Sequence, residues 1–470
     1  MNLAQPPVIP TPVRRQLSLF LKIAGICFLI LALHIPLLMT NGVLQERRKY
    51  QQQAIDEIAG VWGRSQLVTG PVLAVPYTVK NQVTRAKGFD VRGGPVVETE
   101  LTAQVAYFLP ESLTVAGTVE PELRHRGIYD AVVYSTKLNL TGWFQPDFAA
   151  ANIAAEQIQW DKARVLFGVT DLHGVRAVGP FKSAGGREAT FESTAGTAES
   201  FLPLAAKVTG AADQAKLEFN LTAVLQGSER LEIAPLGKAT AVTLQSPWPD
   251  PSFMGALLPV ARRVGADGFK AEWESAHFSR GFPQAWTNRA LADADMAKNI
   301  AVTAFGVRFA QPVDSYSMAE RAQKYGVLFF VLVFAVFFLF EVTSAGLKIH
   351  PLQYAMVGAA LALFFLLFLA LSEFWATGLA YGVAAAACTG LVSAYAWSFL
   401  KTGARTLVIG GGLAATYGYL YFVLKSQDYA LVAGTAALFA ALALVMFCTR
   451  RINWYSLEMN PAAAGAAESR

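Results

Sequence analysis

Two patterns of apolar residues divide the chain. The first is the unbroken run. Leu19–Met39 has only Lys22 and His34 as titratable interruptions, and similar runs return at Tyr325–Thr343, Leu352–Leu371, Phe374–Leu400, Thr406–Leu424 and Tyr429–Cys448. A helix needs roughly 20 apolar residues to cross a bilayer core, so each run predicts one crossing. The breaks between the later runs are short: Ser344–Pro351, Ser372-Glu373, Lys401–Arg405 and Lys425–Asp428. Leu19–Met39 exceeds the roughly 7–15-residue core of a cleavable signal peptide, and only Thr40-Asn41-Gly42 follows it, which predicts an uncleaved signal anchor.

The second pattern fills residues 41–324. Ala54, Ile55, Ile58 and Val61 recur at helical spacing after Gln45–Tyr50, predicting a helix that leaves the anchor and stops at Gly60–Gly63. Val68–Tyr77, Leu101–Phe108, Leu113–Val119, Ala131–Phe144, Arg164–Val169 and Lys216–Leu225 then read as strands. The Ala-rich Phe148–Trp160 reads as a helix or an extended arm, and Thr194–Ala212 as loop. Gly, Pro, Asn and Asp separate the strands at intervals that suit antiparallel hairpins, so one or two all-β domains are expected. The predicted fold class is a multi-pass α-helical membrane protein of six transmembrane helices with a large all-β, sandwich- or barrel-like insert.

Charge orients this layout. With the N-terminus inside, the cytoplasmic segments carry Arg14, Arg15, Lys348, Lys401, Arg405, Arg450 and Arg451, while the opposite short loops carry Glu373, Lys425 and Asp428. Arg47-Arg48-Lys49 disagrees in part, because it falls on the outer side. The expectation is a cytoplasmic tail at 1–18, the anchor at 19–39, an external region at 41–324, a five-helix bundle at 325–448 with spans at 325–343, 352–371, 374–400, 406–424 and 429–448, and a cytoplasmic tail at 449–470. Tyr325, Tyr381, Tyr417, Tyr419, Tyr421, Tyr429, Trp454 and Tyr455 fall mostly near the predicted interfaces, with Tyr417–Tyr421 as an outer belt.

Composition agrees with a membrane chain. Of 470 residues 54% are hydrophobic and 16% charged, against a globular norm near 25% charged. The net charge is +5, but residues 41–324 hold 29 basic and 29 acidic side chains, so the polar region is neutral. That removes the basic face a nucleic-acid partner requires. Cys27, Cys388 and Cys448 all lie in apolar runs, so no disulfide forms within 41–324. The five histidines form no HExxH, HxH or HxxxH pattern, and neither a dinucleotide-binding nor a phosphate-loop motif is present. Gly410-Gly411-Gly412 reads as a close helix contact. A membrane serine protease would need a histidine on a late helix, and His350 is the last.

The candidate polar positions are Glu341, His350 and Glu373, all at predicted helix ends. Glu341 and His350 bracket one turn, close enough for a hydrogen bond across it, whereas Glu373 is expected on the other side of the membrane. A transporter would use such groups at the edge of a water-filled cavity. An enzyme would use carboxylates such as Asp250, Asp267, Glu272 and Glu274, in the Trp/Pro-rich segment 246–286, which reads as loop.

Several strings, in order along the whole chain, resemble the CreD family of bacterial inner-membrane, envelope-integrity and colicin-tolerance proteins. They include Glu57-Ile58-Ala59-Gly60-Val61-Trp62-Gly63, Gly70-Pro71-Val72-Leu73-Ala74-Val75-Pro76-Tyr77, and Ser246-Pro247-Trp248-Pro249-Asp250-Pro251-Ser252-Phe253-Met254-Gly255. Further on come Pro312-Val313-Asp314-Ser315-Tyr316, Ile349-His350-Pro351-Leu352-Gln353-Tyr354, Leu371-Ser372-Glu373 and Thr449-Arg450-Arg451-Ile452-Asn453-Trp454-Tyr455. The family pattern often has a histidine after the Ser-Glu pair; Phe374 stands there in this chain. The resemblance implies an inner membrane, a periplasmic insert, regulation by the CreBC two-component system, and roles in colicin and β-lactam tolerance. It brings no reaction and no site residue. The expected function is therefore a non-enzymatic envelope protein without cofactor or metal, whose partners are the lipid bilayer and an unknown envelope component on the periplasmic side, with no nucleic acid. The alternatives are a transporter or flippase-like protein and an envelope-lipid or glycan enzyme.

Overall fold

A computed structural model describes residues 11–89, 95–183, 187–194, 202–208, 216–288, 293–309, 315–343, 349–400, 402–426 and 430–450. The outer parts of both tails, 1–10 and 451–470, lie outside the described residues, as do Lys348, Lys401 and Asp428. Two compact units result: a helical one, from residues up to Tyr50 and from Val313 onward, and a sheet unit from Gln51 to Pro312.

Eight α-helices are described: α1 (Thr11–Trp62), α2 (Asp293–Val302), α3 (Ser315–Lys324), α4 (Gly326–Thr343), α5 (Pro351–Ser372), α6 (Thr377–Leu400), α7 (Gly403–Lys425) and α8 (Ala430–Thr449). Among the described residues α1, α5, α6 and α7 are long and apolar enough to cross a membrane. A fifth span results if α3 and α4, which meet at a 48° bend, count as one.

Most of α1 from Leu21 to Tyr50 is exposed, but Leu33, Leu37, Thr40 and Leu44 are buried. Steps of four, three and four keep them on one face. Glycines on the facing helices let that face approach: a Cβ on Gly358 would meet the Leu33 side chain at 2.2 Å, and one on Gly326 would meet Leu37 at 3.0 Å. On α6 the buried positions Ala380, Ala384, Cys388, Val392, Ala396 and Leu400 recur every four residues. Cys388 donates its thiol to the Ala360 carbonyl at 3.3 Å and accepts from the Tyr417 hydroxyl at 3.1 Å, tying α6 to α5 and α7. Two sequence expectations change here. Tyr417 and Tyr381 are core residues, 2% and 3% exposed, rather than members of an interfacial belt. Of the three consecutive glycines on α7 only Gly410 has a close neighbour, the Ser393 hydroxyl; Gly411 and Gly412 face open space.

Among the described residues the sheet unit is a sandwich of two nine-stranded sheets. All six sequence-predicted strands lie on strands, which extend to Gln66–Phe89, Pro95–Phe108, Ser112–Arg126, Tyr129–Phe144, Arg164–Val169 and Leu217–Ser228. Alternation drives the burial: along Leu217–Ser228 inward positions such as Leu217, Phe219, Leu221, Ala223 and Leu225 are buried, and their neighbours are less so. Aromatic rings close the space between the sheets. Trp273 stacks on Phe305 at 5.8 Å, and Tyr134 meets Phe309 at 5.3 Å, each pair joining one sheet to the other.

The departures from a hairpin-only fold are informative. Gln66–Val68 pairs in parallel with Leu231–Ile233, and Ala239–Gln245 pairs in parallel with Ser112–Thr118. Phe148–Trp160 holds turns and a short 3-10 segment at Ala155–Gln157 rather than an α-helix. Leu204–Lys207, within the expected loop 194–212, is a strand. Segment 246–286 is not loop but carries the strands Pro251–Gly255, Ala261–Gly265, Gly268–Ala276 and Ala285–Thr287. Arg280 anchors it: its guanidinium is buried and donates to the carbonyls of Pro235, Leu236 and Gly237. Burial pushes its pKa down to about 10, with Glu111 opposing that shift. α3, expected in the polar insert, groups with the helical unit.

Candidate functional site

The polar ends of the helical unit are built from α1 outward. Glu341, in the last turn of α4, is 11% exposed and accepts from three directions. Lys22 of α1 pairs with Oε1, the Ile349 backbone N–H reaches the same oxygen at 3.3 Å, and the Tyr354 hydroxyl of α5 reaches Oε2 at 3.2 Å. Lys22 also donates to the Ile349 carbonyl at 3.1 Å. Lys22, one of the two titratable interruptions of the first apolar run, thus holds α1 to the α4–α5 connection.

His350 is not part of this cluster. Its Nδ1 accepts from the Leu352 backbone N–H at 3.2 Å, and its own N–H donates to the Gln353 side chain at 2.9 Å. That is a capping box at the start of α5, with Pro351 at the first helical position. The partners of Glu341 are Lys22, the Ile349 N–H and Tyr354, so the expected pair across the turn does not form.

Glu373, at the other end of α5, is 9% exposed and lies 3.5 Å from Arg47 Nε. The Tyr316 hydroxyl of α3 donates to it at 3.3 Å. Next to it Arg48 pairs with Glu320 at 2.5 Å and donates to the Ser317 hydroxyl at 2.8 Å. Ser315 and Thr377 share a hydrogen bond of 2.6 Å. Lys22 and Arg47 are 25 positions apart on one helix, about 38 Å at 1.5 Å per residue. The two ion pairs thus hold α1 at points separated by roughly the thickness of a bilayer with its headgroup regions. Arg47 and Arg48 are the residues that disagreed with the charge rule, and both face acidic partners. No local signal announced these contacts; Lys22 and Glu341 are 319 positions apart.

Two cavities in the helical unit are lined otherwise. One, of about 680 Å³, lies between α6 and α7 and is bounded by small residues with Tyr381, Tyr417 and Tyr421. The other is apolar and lies between α4, α7 and α8. Neither is lined by Glu341 or Glu373.

The carboxylates of segment 246–286 stand on the surface of the sheet unit. Asp250, Asp267 and Glu274 are exposed. Asp267 lies 3.4 Å from Arg263, and Glu272 lies 2.6 Å from Lys270. Each of those two is matched to a basic neighbour instead of facing a second carboxylate.

A polar concavity of the sheet unit lies on the outward face of one sheet. About 500 Å³ in volume, it has Ala116 and Gly117 among its lining, with Thr118, Ser135, Lys137 and Asn139 around them. Gly117 must be small: a Cβ there would meet Leu138 at 2.6 Å and Leu244 at 2.7 Å. A second concavity of about 370 Å³ adjoins it and shares Thr118 and Gln245. Polar alternation along the strands was legible in the sequence, but bringing four strands side by side needed the parallel pairing that the sequence did not reveal.

A family model described as inner membrane protein CreD matches residues 18–455. The inner membrane protein CreD of Escherichia coli (strain K12) is 31% identical over 452 residues, which cover 94% of this chain and 95% of that protein.

Proposed function

The chain belongs to the CreD family of inner membrane proteins, and from that premise we propose that it is a non-enzymatic envelope-integrity protein whose sheet unit binds or shields a component of the envelope. In this reading the chain crosses the membrane six times, both tails are cytoplasmic, and residues 41–324 are periplasmic. The tolerance to colicins and β-lactams and the control by CreBC that the sequence resemblance implies belong to the same proposal.

One observation carries the reading: the polar concavity lies on the sheet unit, while Glu341 and Glu373 of the helical unit are occupied. A transporter of polar solutes needs ionisable groups that meet a water-filled path. Glu341 and Glu373 instead meet basic and hydroxyl partners, which supports a role in holding the helices together.

The test compares two variants in cells lacking the native protein. Asn139→Arg places a charge in the sheet concavity, and Glu341→Gln leaves shape but removes the helical carboxylate. The expected result is loss of colicin tolerance with Asn139→Arg at unchanged protein level, and retained tolerance with Glu341→Gln wherever its level is retained. Tolerance lost in Glu341→Gln at full protein level, and kept in Asn139→Arg, would overturn the reading in favour of transport.

A further inference from the structure

The concave sheet face has a regular chemistry. Successive strands in the order Gly268–Ala276, Ala239–Ser246, Ser112–Arg126, Tyr129–Phe144, Leu217–Ser228 set their outward residues in register. One row across them reads Glu272, Thr243, Ala116, Asn139, Thr222. The next reads Lys270, Gln245, Thr118, Lys137, Val224. Neighbours within the rows already hydrogen-bond sideways: Gln245 donates to the Thr118 hydroxyl at 3.0 Å, and Thr222 to the Asn139 amide oxygen at 3.4 Å.

Hydroxyls and amides each donate and accept, so such rows satisfy a ligand that itself carries many hydroxyls. The formal charges in the rows are two lysines against one glutamate, with Glu120 also lining the concavity, so no net field selects an ion. Ala116 and Val224 leave apolar patches between the polar groups, as the C–H faces of a sugar ring require. Strands repeat every 4.8 Å or so, close to the length of one hexose unit in an extended chain. Five strands therefore offer one polar position per sugar over several units.

We propose that this face binds a neutral, linear glycan lying across the strands. The proposal rests on the reading of the sheet unit as the part that engages the envelope, and it names the chemical class of that component.

The test uses full-length protein in detergent, titrated calorimetrically with β-1,4-linked tetramers of glucose and of N-acetylglucosamine. At least one tetramer should bind. Asn139→Arg and Thr118→Arg should each weaken that binding at least tenfold without shifting the melting temperature, and Asn139→Gln should restore most of it. Glu188→Arg, on a strand away from the concavity, should leave it unchanged. Failure of both tetramers to bind overturns the proposal, as does tighter binding of dextran sulfate, a polyanion, at the same residues. The cellular assay above separates the two ideas. If Asn139→Arg abolishes tolerance although neither tetramer binds, the envelope-binding reading stands and the glycan is wrong; if tolerance also survives, both fall.

Discussion

At Glu341 three donors from separate parts of the chain converge on one carboxylate at a helix end. Removing the acceptor takes it from the Ile349 N–H and the Tyr354 hydroxyl and leaves Lys22 only the Ile349 carbonyl, whereas removing Lys22 leaves a partly exposed carboxylate that keeps its other two donors. A buried donor left without a partner costs on the order of 1–3 kcal/mol. Glu341→Leu should therefore lower the melting temperature of the purified protein more than Lys22→Met. The double variant should be less unstable than the sum of the two, and additive losses would show that the pair is not coupled. Asp171 in the sheet unit makes a comparable convergence. Burial alone would raise its pKa, but the backbone N–H groups of Arg64 at 2.9 Å and His173 at 3.0 Å, together with the His173 ring, outweigh burial and hold it below its ordinary 3.8. The folded state then binds fewer protons in acid than the unfolded chain. The stabilisation is present in full above the ordinary value and is lost as pH falls through the folded one. Asp171→Asn should flatten the acid limb of a stability-versus-pH curve and leave its shape above pH 5 or so unchanged.

At the scale of elements, the end of α1 shows what pattern alone resolves. The sequence places the stop at Gly60–Gly63; the helix runs through Gly60 and ends at Trp62. Gly60 has open space around its missing Cβ, while Gly63 has φ +139° and a Cβ there would come within 2.7 Å of the Gln226 carbonyl. Gly60→Ala should stabilise by about 0.5–1 kcal/mol through helix propensity. Gly63→Ala should destabilise by about 1–3 kcal/mol through backbone strain. Thermal unfolding of the two variants should move in opposite directions. Apolar runs and long alternating strands were legible because each repeats a signal many times. Several strands between residues 230 and 309 were missed because they are short or unpatterned: Pro251–Gly255 opens with proline, and in Ala261–Gly265 no position is buried; Ala239–Ser246 and Gly268–Ala276 do alternate and were open to reading. The capping role of His350 was open to reading, since Pro351 and Gln353 stand at the positions a capping box uses. The partners of Glu341 and Glu373 were not, because contacts between distant helices leave no local periodicity.

For the whole molecule, the proposed arrangement predicts the side on which each segment lies. A reporter active only in the cytoplasm should function when fused to the C-terminus and fail when fused after residue 100; the reverse result would sink the six-crossing layout. Mass spectrometry should find the anchor retained, and a new N-terminus near residue 40 would refute it. The order of strands also sets a timetable for synthesis. Phe305–Phe309 lies between Arg230–Ile233 and Pro251–Gly255, and Arg230–Ile233 in turn pairs with the first strand of the unit. A strand emerging near the end of the unit therefore supplies the link between segments made much earlier. Until it arrives, Leu231 and Ile233 have one edge without its partner, and the aromatic faces of Trp273 and Tyr134 lack Phe305 and Phe309. From the synthesis of Arg230–Ile233 until Phe305–Phe309 follows, a growing chain therefore holds an open, adhesive sheet. Chains truncated at residue 300 should accordingly be degraded rapidly and captured by chaperones, while chains ending at residue 345 should persist.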